Sequence, residues 1–209
     1  MRTALLLFAF GLVLRLLLWL PSPDAGAAWY VGFQGDAPVW QDLAYKAAAG
    51  LPDELLRLPL RPPGMHWLVS SLWDGDPATA WRLRLLFAAM GAAMAPLLYL
   101  LVRRHLTASQ ATLAGVVCAA AQPLLLLSSG LHSETPYLAL CLLAMFDQER
   151  LRTRGEALAA WRWGLLHGAL VLLRTEHLLV FAALGGVLAL QRAPRFGRTL
   201  LVGIAAAAG

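Results

Sequence analysis

Charge is what this sequence lacks most. Only 14% of its 209 residues are Asp, Glu, Lys or Arg, while 59% are hydrophobic. A soluble globular domain is about a quarter charged and about half apolar. Both departures argue against an ordinary water-facing surface and point to a chain dissolved in lipid. Cysteine is scarce too: Cys118 and Cys141 both lie in apolar runs, giving neither a disulfide framework nor a metal-ligand spacing. No internal repeat is evident, and no separate basic domain. The net charge of +5 comes from Arg residues set between apolar runs. That pattern fits cytoplasmic loops under the positive-inside rule better than nucleic-acid binding. Membrane lipids are therefore expected as partners, and nucleic acid is not.

What is present is a row of apolar runs. Crossing the hydrocarbon takes about 20 residues of helix, and open sheets cannot satisfy their backbone groups there. The expected fold is all-α: a polytopic transmembrane helix bundle forming a single membrane domain over 1–209. Helices are expected at about 4–20, 82–103, 108–128, 134–148, 160–173 and 177–191, with a partial one at 199–209. Because the last run is too short to span at about 1.5 Å per residue, the chain reads as an N-terminal fragment, incomplete at its C-terminus. Helices four to six have uncharged cores well below the spanning length, which suits snorkelling flanks or a locally thin region.

Residues 21–81 break the pattern with Pro21, Pro23, Pro38, Pro52, Pro59, Pro62, Pro63 and Pro77, several acids, and Trp29, Trp40, Trp67, Trp73 and Trp81. This is expected to be a long outer-face loop carrying short amphipathic helices over 40–49 and 65–73. Its Trp residues suit the headgroup level. The N-terminus also resembles a secretory signal, with Arg2, an apolar run and Asp24-Ala-Gly-Ala. Arg15 interrupts that run and its length is great for a signal core, so an uncleaved first helix is favoured. Placing Arg103/Arg104, Arg150–Arg154 and Arg192–Arg198 in the cytoplasm puts loop 21–81 and the turns at Glu134 and Glu176 outside. One alternating path of six helices satisfies every segment.

Charges near helix ends on one face of a membrane are functional candidates. Three clusters fall on the outer side: Gly35-Asp36 with Gln41-Asp42 and Tyr45; His132 with Glu134; and Arg174 with Glu176 and His177. Arg61 precedes Pro62-Pro63. Each has a plainer account. Gly-Asp is turn chemistry, as is Asp74-Gly-Asp76. Glu134 suits the positive end of a helix dipole with Ser133 as its cap. Arg174 and Glu176 suit a paired charge at a turn, and Arg61 a loop–helix junction. His132 and His177 are too sparse for a metal site, so no metal is expected.

The order of these features resembles the multi-spanning glycosyltransferases of the GT-C class, in the protein-mannosyltransferase and aminoarabinose-transferase-like branch. The resemblance runs over nearly the whole chain. It begins with an Arg15-containing first helix and Gly35-Asp36 shortly after it. Tyr45-Lys-Ala-Ala-Ala-Gly50 and Leu60-Arg-Pro-Pro-Gly-Met-His-Trp-Leu68 follow, then an Arg-Arg end to the second helix. Ser133-Glu134-Thr-Pro-Tyr137 opens the fourth helix, and Arg174-Thr-Glu-His177 stands where the family often has TRPE. The chain departs from the family at Ala37, where an acid is common, and at Val39-Trp40, where a Tyr is usual. Most members are also much longer.

The resemblance implies transfer of a sugar from a polyprenyl-phosphate donor to an acceptor on the outer face, with inversion. Asp36 would be the base that takes the acceptor hydroxyl's proton. The leaving lipid phosphate needs no proton but does need positive charge, which Arg61 or Arg174 would supply by bidentate contact. Glu134, Glu176 and His132 would complete the substrate contacts. No cofactor is implied. The partners would be the lipid-linked donor and an acceptor that is a lipid, a glycan or a protein. The location implied is a bacterial inner membrane, with the active site facing outside. A transporter fragment, with charges at broken midplane helices, and a non-catalytic scaffold using the Trp-rich loop are the alternatives from other classes.

Overall fold

The computed structural model describes residues 1–18, 37–50, 62–76, 81–154 and 157–190. Among them every regular element is a helix: α1 (Arg2–Leu17), α2 (Ala37–Ala48), α3 (Pro63–Ser70), α4 (Trp81–Val102), α5 (Ala108–Ala120), α6 (Gln122–Ser129), α7 (Glu134–Arg154), α8 (Ala157–Leu173) and α9 (His177–Leu190). The described residues are all-α, as expected from the sequence. Its contacts gather into two compact units, Met1–Ala139 and Leu140–Gly209, with the boundary falling inside α7.

Two helices differ from the sequence expectation for physical reasons. The run expected as one helix over 108–128 is broken into α5 and α6, which meet at a 48° bend. Pro123 has no N–H for the carbonyl of Ala119, so the ladder cannot continue. Ala121 turns to extended backbone (φ −60°, ψ 115°), and the proline falls in the first turn of α6, where its missing donor costs nothing. The helix expected to stop near 148 runs on to Arg154. Its last turns hold Gln, Glu, Leu and Arg, strong helix formers, with Thr153 as the one weaker residue, so the helix outlasts its apolar stretch. At the start of α5, Thr107 and Gln110 form a reciprocal capping box, in which two orphan N–H groups are satisfied.

In the first unit α1 packs along α4 and α5, and α4 also meets α6. Small residues make the close approach possible. A Cβ on Gly11 would lie 3.4 Å from the Ala92 Cα, and one on Gly115 would lie 2.6 Å from a Leu7 methyl. At Gly91 a Cβ would overlap the Ser128 side chain and lie 2.5 Å from the Arg15 Nε. Gly11, Gly91, Ala95, Gly115 and Ala119 are thus the contact residues of three helices, the pattern by which helices associate where no hydrophobic effect drives them together.

A second, smaller packing centre joins α2 and α3. Trp40, Leu43, Ala44, Met65, Val69 and Trp73 are buried there. The turn that follows α3 closes back on α2. The Trp73 indole N–H donates to the Asp76 carbonyl at 2.7 Å, and the Gln41 amide donates to the Gly75 carbonyl at 3.3 Å. The Asp74 carboxylate accepts from the Asp76 N–H at 3.0 Å, an Asx turn. Gly75 has φ +86°, and a Cβ there would sit 3.0 Å from the Tyr45 backbone nitrogen. Both facts demand glycine.

Burial on the longer helices runs opposite to the soluble pattern. On α1 the exposed side chains are Leu5, Leu6, Phe10, Val13 and Leu17, while Arg15 is fully buried. On α8 Leu158, Trp161, Leu165 and Leu172 are exposed while His167 is buried; on α9 Leu178, Leu179, Val180 and Val187 are exposed while His177 is buried. Among the described residues one helix, Trp81–Val102, is long and apolar enough to cross a membrane, and the bent pair α5–α6 makes a second if it counts as one span.

Gly91 gives a direct test of this packing. Gly91→Ala should destabilise the purified protein by about 1–3 kcal/mol, because the added methyl meets the Arg15 and Ser128 side chains where neither can retreat. Thermal unfolding followed by circular dichroism would check it, with Gly186→Ala as the control: a Cβ at Gly186 meets nothing within 4 Å.

Candidate functional site

Asp36 and Arg61, for which the resemblance implies the roles of base and phosphate contact, lie outside the described residues. The remaining candidates fall into two local groups, one in each unit. His132 and Glu134 share the turn that opens α7. There the Thr135 N–H donates to the His132 carbonyl at 3.1 Å and the Tyr137 N–H to the Ser133 carbonyl at 3.1 Å. Thr135 is fully buried, and its hydroxyl donates to the Leu127 carbonyl at 2.8 Å, pinning this turn to the end of α6. Ser133 turns its hydroxyl to the Glu134 carboxylate at a long 3.5 Å. His132 and Glu134 are both partly exposed, the arrangement that lets them meet a ligand.

In the second unit Arg174 and Glu176 face each other across the α8–α9 turn, with 3.9 Å between Nε and Oε2 and both side chains reaching solvent. An exposed pair at that distance adds little to stability. His177 does not join them. It is buried, and its Nε2 lies 2.8 Å from Nδ1 of the buried His167. The two imidazoles stack with centroids 4.9 Å apart, and Trp163 and Phe181 close the cluster. Nearby in sequence, Asp147 is fully buried and is ion-paired with Arg162 at 3.1 Å.

Sequence reasoning missed a fully buried polar centre. The Arg15 guanidinium sits where α1, α4, α5 and α6 converge. Its Nε donates to the Ser128 hydroxyl at 2.7 Å, and its Nη1 to the carbonyls of Gly11 at 2.9 Å and Ala119 at 3.5 Å. Nη2 has no hydrogen-bond partner among the described residues. The Ala119 carbonyl is available because Pro123 lacks the N–H that would have claimed it. The same break leaves the negative end of the α5 dipole pointing at the cation. The signals were present, an Arg inside an apolar run and a Pro inside another, but nothing in the order of residues ties the two together.

The Asp147–Arg162 and His167–His177 pairs were also missed. Their only signal was a lone polar residue in or beside an apolar run. Among the described residues no group of three or more His, Cys, Asp or Glu gathers as metal ligands would. Comparison with family models, with curated proteins and with solved structures gives no match.

Two carboxyl and hydroxyl changes separate the buried centre from the exposed pair. Ser128→Ala should cost about 1–3 kcal/mol, since it leaves a buried charged N–H without its acceptor. Glu176→Gln should change stability by less than about 1 kcal/mol. Chemical denaturation of the two variants beside the parent would check the contrast; equal losses would mean that Arg15 is not the stronger tie.

Proposed function

We propose that this chain is a membrane-embedded glycosyltransferase that moves a sugar from a polyprenyl-phosphate donor to an acceptor on the outer face, with inversion. The observation that carries the reading is the ordered set of motifs: Arg15 in the first helix, Gly35-Asp36, Arg61-Pro62-Pro63, Ser133-Glu134 and Arg174-Thr-Glu176, which resembles the order in the GT-C class. In this mechanism Asp36 takes the proton of the acceptor hydroxyl as the new C–O bond forms at the anomeric carbon. The lipid phosphate leaves as an anion, met by Arg61 or Arg174. Glu134, His132 and Glu176 contact substrate. The donor is a substrate rather than a cofactor, and no resident metal is needed.

The inverted burial supports the membrane half of this reading. A helix that hides Arg15 and presents Leu5, Leu6, Phe10 and Val13 suits a solvent of hydrocarbon, where a cation must face the protein interior. Glycine and alanine contacts between α1, α4 and α5 suit the same solvent. The polytopic bundle of six spans belongs to this proposal. It counts α5 and α6 as one broken span and lets the short α8 and α9 reach the interfaces by snorkelling flanks. The place proposed is a bacterial inner membrane, with loop 21–81 and the turns at 132–134 and 174–176 on the outer side.

Asp36→Asn is the decisive variant. In proteoliposomes supplied with polyprenyl-phosphate-linked labelled sugar and a candidate acceptor lipid, it should lower transfer at least about 100-fold. Membrane insertion and donor binding should persist. Transfer at the parent rate by the Asn variant would remove Asp36 from the chemistry and, with it, this mechanism.

A further inference from the structure

The turn that joins α4 to α5 runs from Arg103 through Arg104, His105 and Leu106 to Thr107. It is closely tied down. The N–H of Arg103 donates to the Tyr99 carbonyl, and those of His105 and Leu106 donate to the Val102 carbonyl, each at 2.9 Å. Thr107 closes the turn with the capping box of α5. Every side chain from Arg103 to Thr107 is exposed. The Arg103 guanidinium arches back over the turn, with Nη1 3.4 Å from the Leu106 carbonyl. A cation therefore stands beside an apolar side chain that is itself 41% exposed. The other N–H groups of that guanidinium have no partner among the described residues.

Charge and hydropathy follow a fixed order around this turn. No Asp or Glu occurs between Asp76 and Glu134, so nothing within the α4–α5 hairpin offsets its cations. On both sides of the turn the outward faces become apolar at once: Leu100 on α4 and Leu113 and Val117 on α5 are exposed. At about 1.5 Å per residue, these faces begin about 5 Å from the turn on α4 and about 10 Å from it on α5. A cation with an apolar belt a few ångströms beneath it matches the order of an anionic phospholipid, phosphate above and acyl chain below. The apolar half decides the partner. A nucleic acid, an acidic peptide or a free phosphate would meet the cations and leave Leu100, Leu106 and Leu113 in water. We infer that the Arg103–Leu106 turn binds anionic phospholipid headgroups, with Arg103 and His105 donating to the phosphate and Leu106 seated among the acyl chains. The inference rests on the membrane half of the proposed function and on nothing in the sugar chemistry. In the proposed topology this turn is cytoplasmic, at a surface where each Arg near anionic headgroups gains about fivefold in affinity.

The test uses the full chain carrying Leu106→p-benzoylphenylalanine, a photo-crosslinking substitution, in vesicles of phosphatidylglycerol and phosphatidylcholine in equal amounts. Mass spectrometry identifies the lipid adducts. Phosphatidylglycerol adducts should exceed those of phosphatidylcholine about fivefold or more, and adding Arg103→Gln should lower that ratio about fivefold. Potassium chloride at about 0.5 M should lower the ratio without the Arg103 change, because exposed charges are screened at that ionic strength. The salt arm stands by itself should Arg103→Gln fail to insert. Equal labelling of the two lipids, a ratio indifferent to both Arg103→Gln and salt, or no lipid adduct at all overturns the inference. Loss of the preference on adding inorganic phosphate, RNA or polyglutamate at matched ionic strength overturns it too, since the added species is then the better occupant. A phosphatidylglycerol preference in a chain that transfers no sugar keeps the anchor and removes the transferase reading; sugar transfer without the preference does the reverse.

Discussion

A buried guanidinium with no carboxylate beside it organises the first unit. Taking a charge out of water is costly unless hydrogen bonds replace the lost hydration. Arg15 finds them in Ser128 and in the carbonyls of Gly11 and Ala119. The two distant acceptors, Ser128 and Ala119, each depend on another feature of the fold. The Ala119 carbonyl is free because Pro123 ends α5. Ser128 reaches the cation because the 48° bend swings α6 across it. The guanidinium has room because position 91 carries no Cβ. Helix break, bend and glycine therefore form one device, and altering any of them strands a charge.

The second unit meets the same constraint differently. Its buried carboxylate, Asp147, has a cation partner in Arg162, whose own side chain stays half exposed. Its buried imidazoles share a 2.8 Å contact inside an aromatic cage, with His167 Nε2 left without a hydrogen-bond partner among the described residues. Neither device is seen in the first unit among the described residues. Charge in the second unit is balanced by a partner side chain rather than by carbonyls freed at a helix break, and Arg162 can keep its head in a polar environment.

The helices themselves were largely legible in the sequence, because apolar runs bounded by Arg pairs, prolines and polar turns leave few choices. Trp81–Val102 and His177–Leu190 begin and end within a residue or so of where the composition changes. The short helices around Trp40 and Met65 were legible from amphipathic spacing. Two features were not. The break at Ala121 lay hidden in a run whose hydropathy never falters, and hydropathy carries no information on the backbone N–H that Pro123 lacks. The extension of α7 through Glu149 and Arg150 was hidden by the opposite error, since charge was taken as the end of a helix when it was only the end of an apolar face. The candidate site was legible only as local pairs: the His132–Glu134 turn and the Arg174–Glu176 contact are short-range. Two of the three partners of Arg15, by contrast, lie 104 and 113 residues away in sequence.

Trp67 and Trp81 are 55% and 58% exposed, far more than a globular core would leave them. A large ring with a polar edge is most stable at the headgroup level of a bilayer. On the proposed membrane reading, these two rings hold α3 and the start of α4 at that level, while the burial of Arg15 keeps its charge inside the helix cluster rather than in the hydrocarbon.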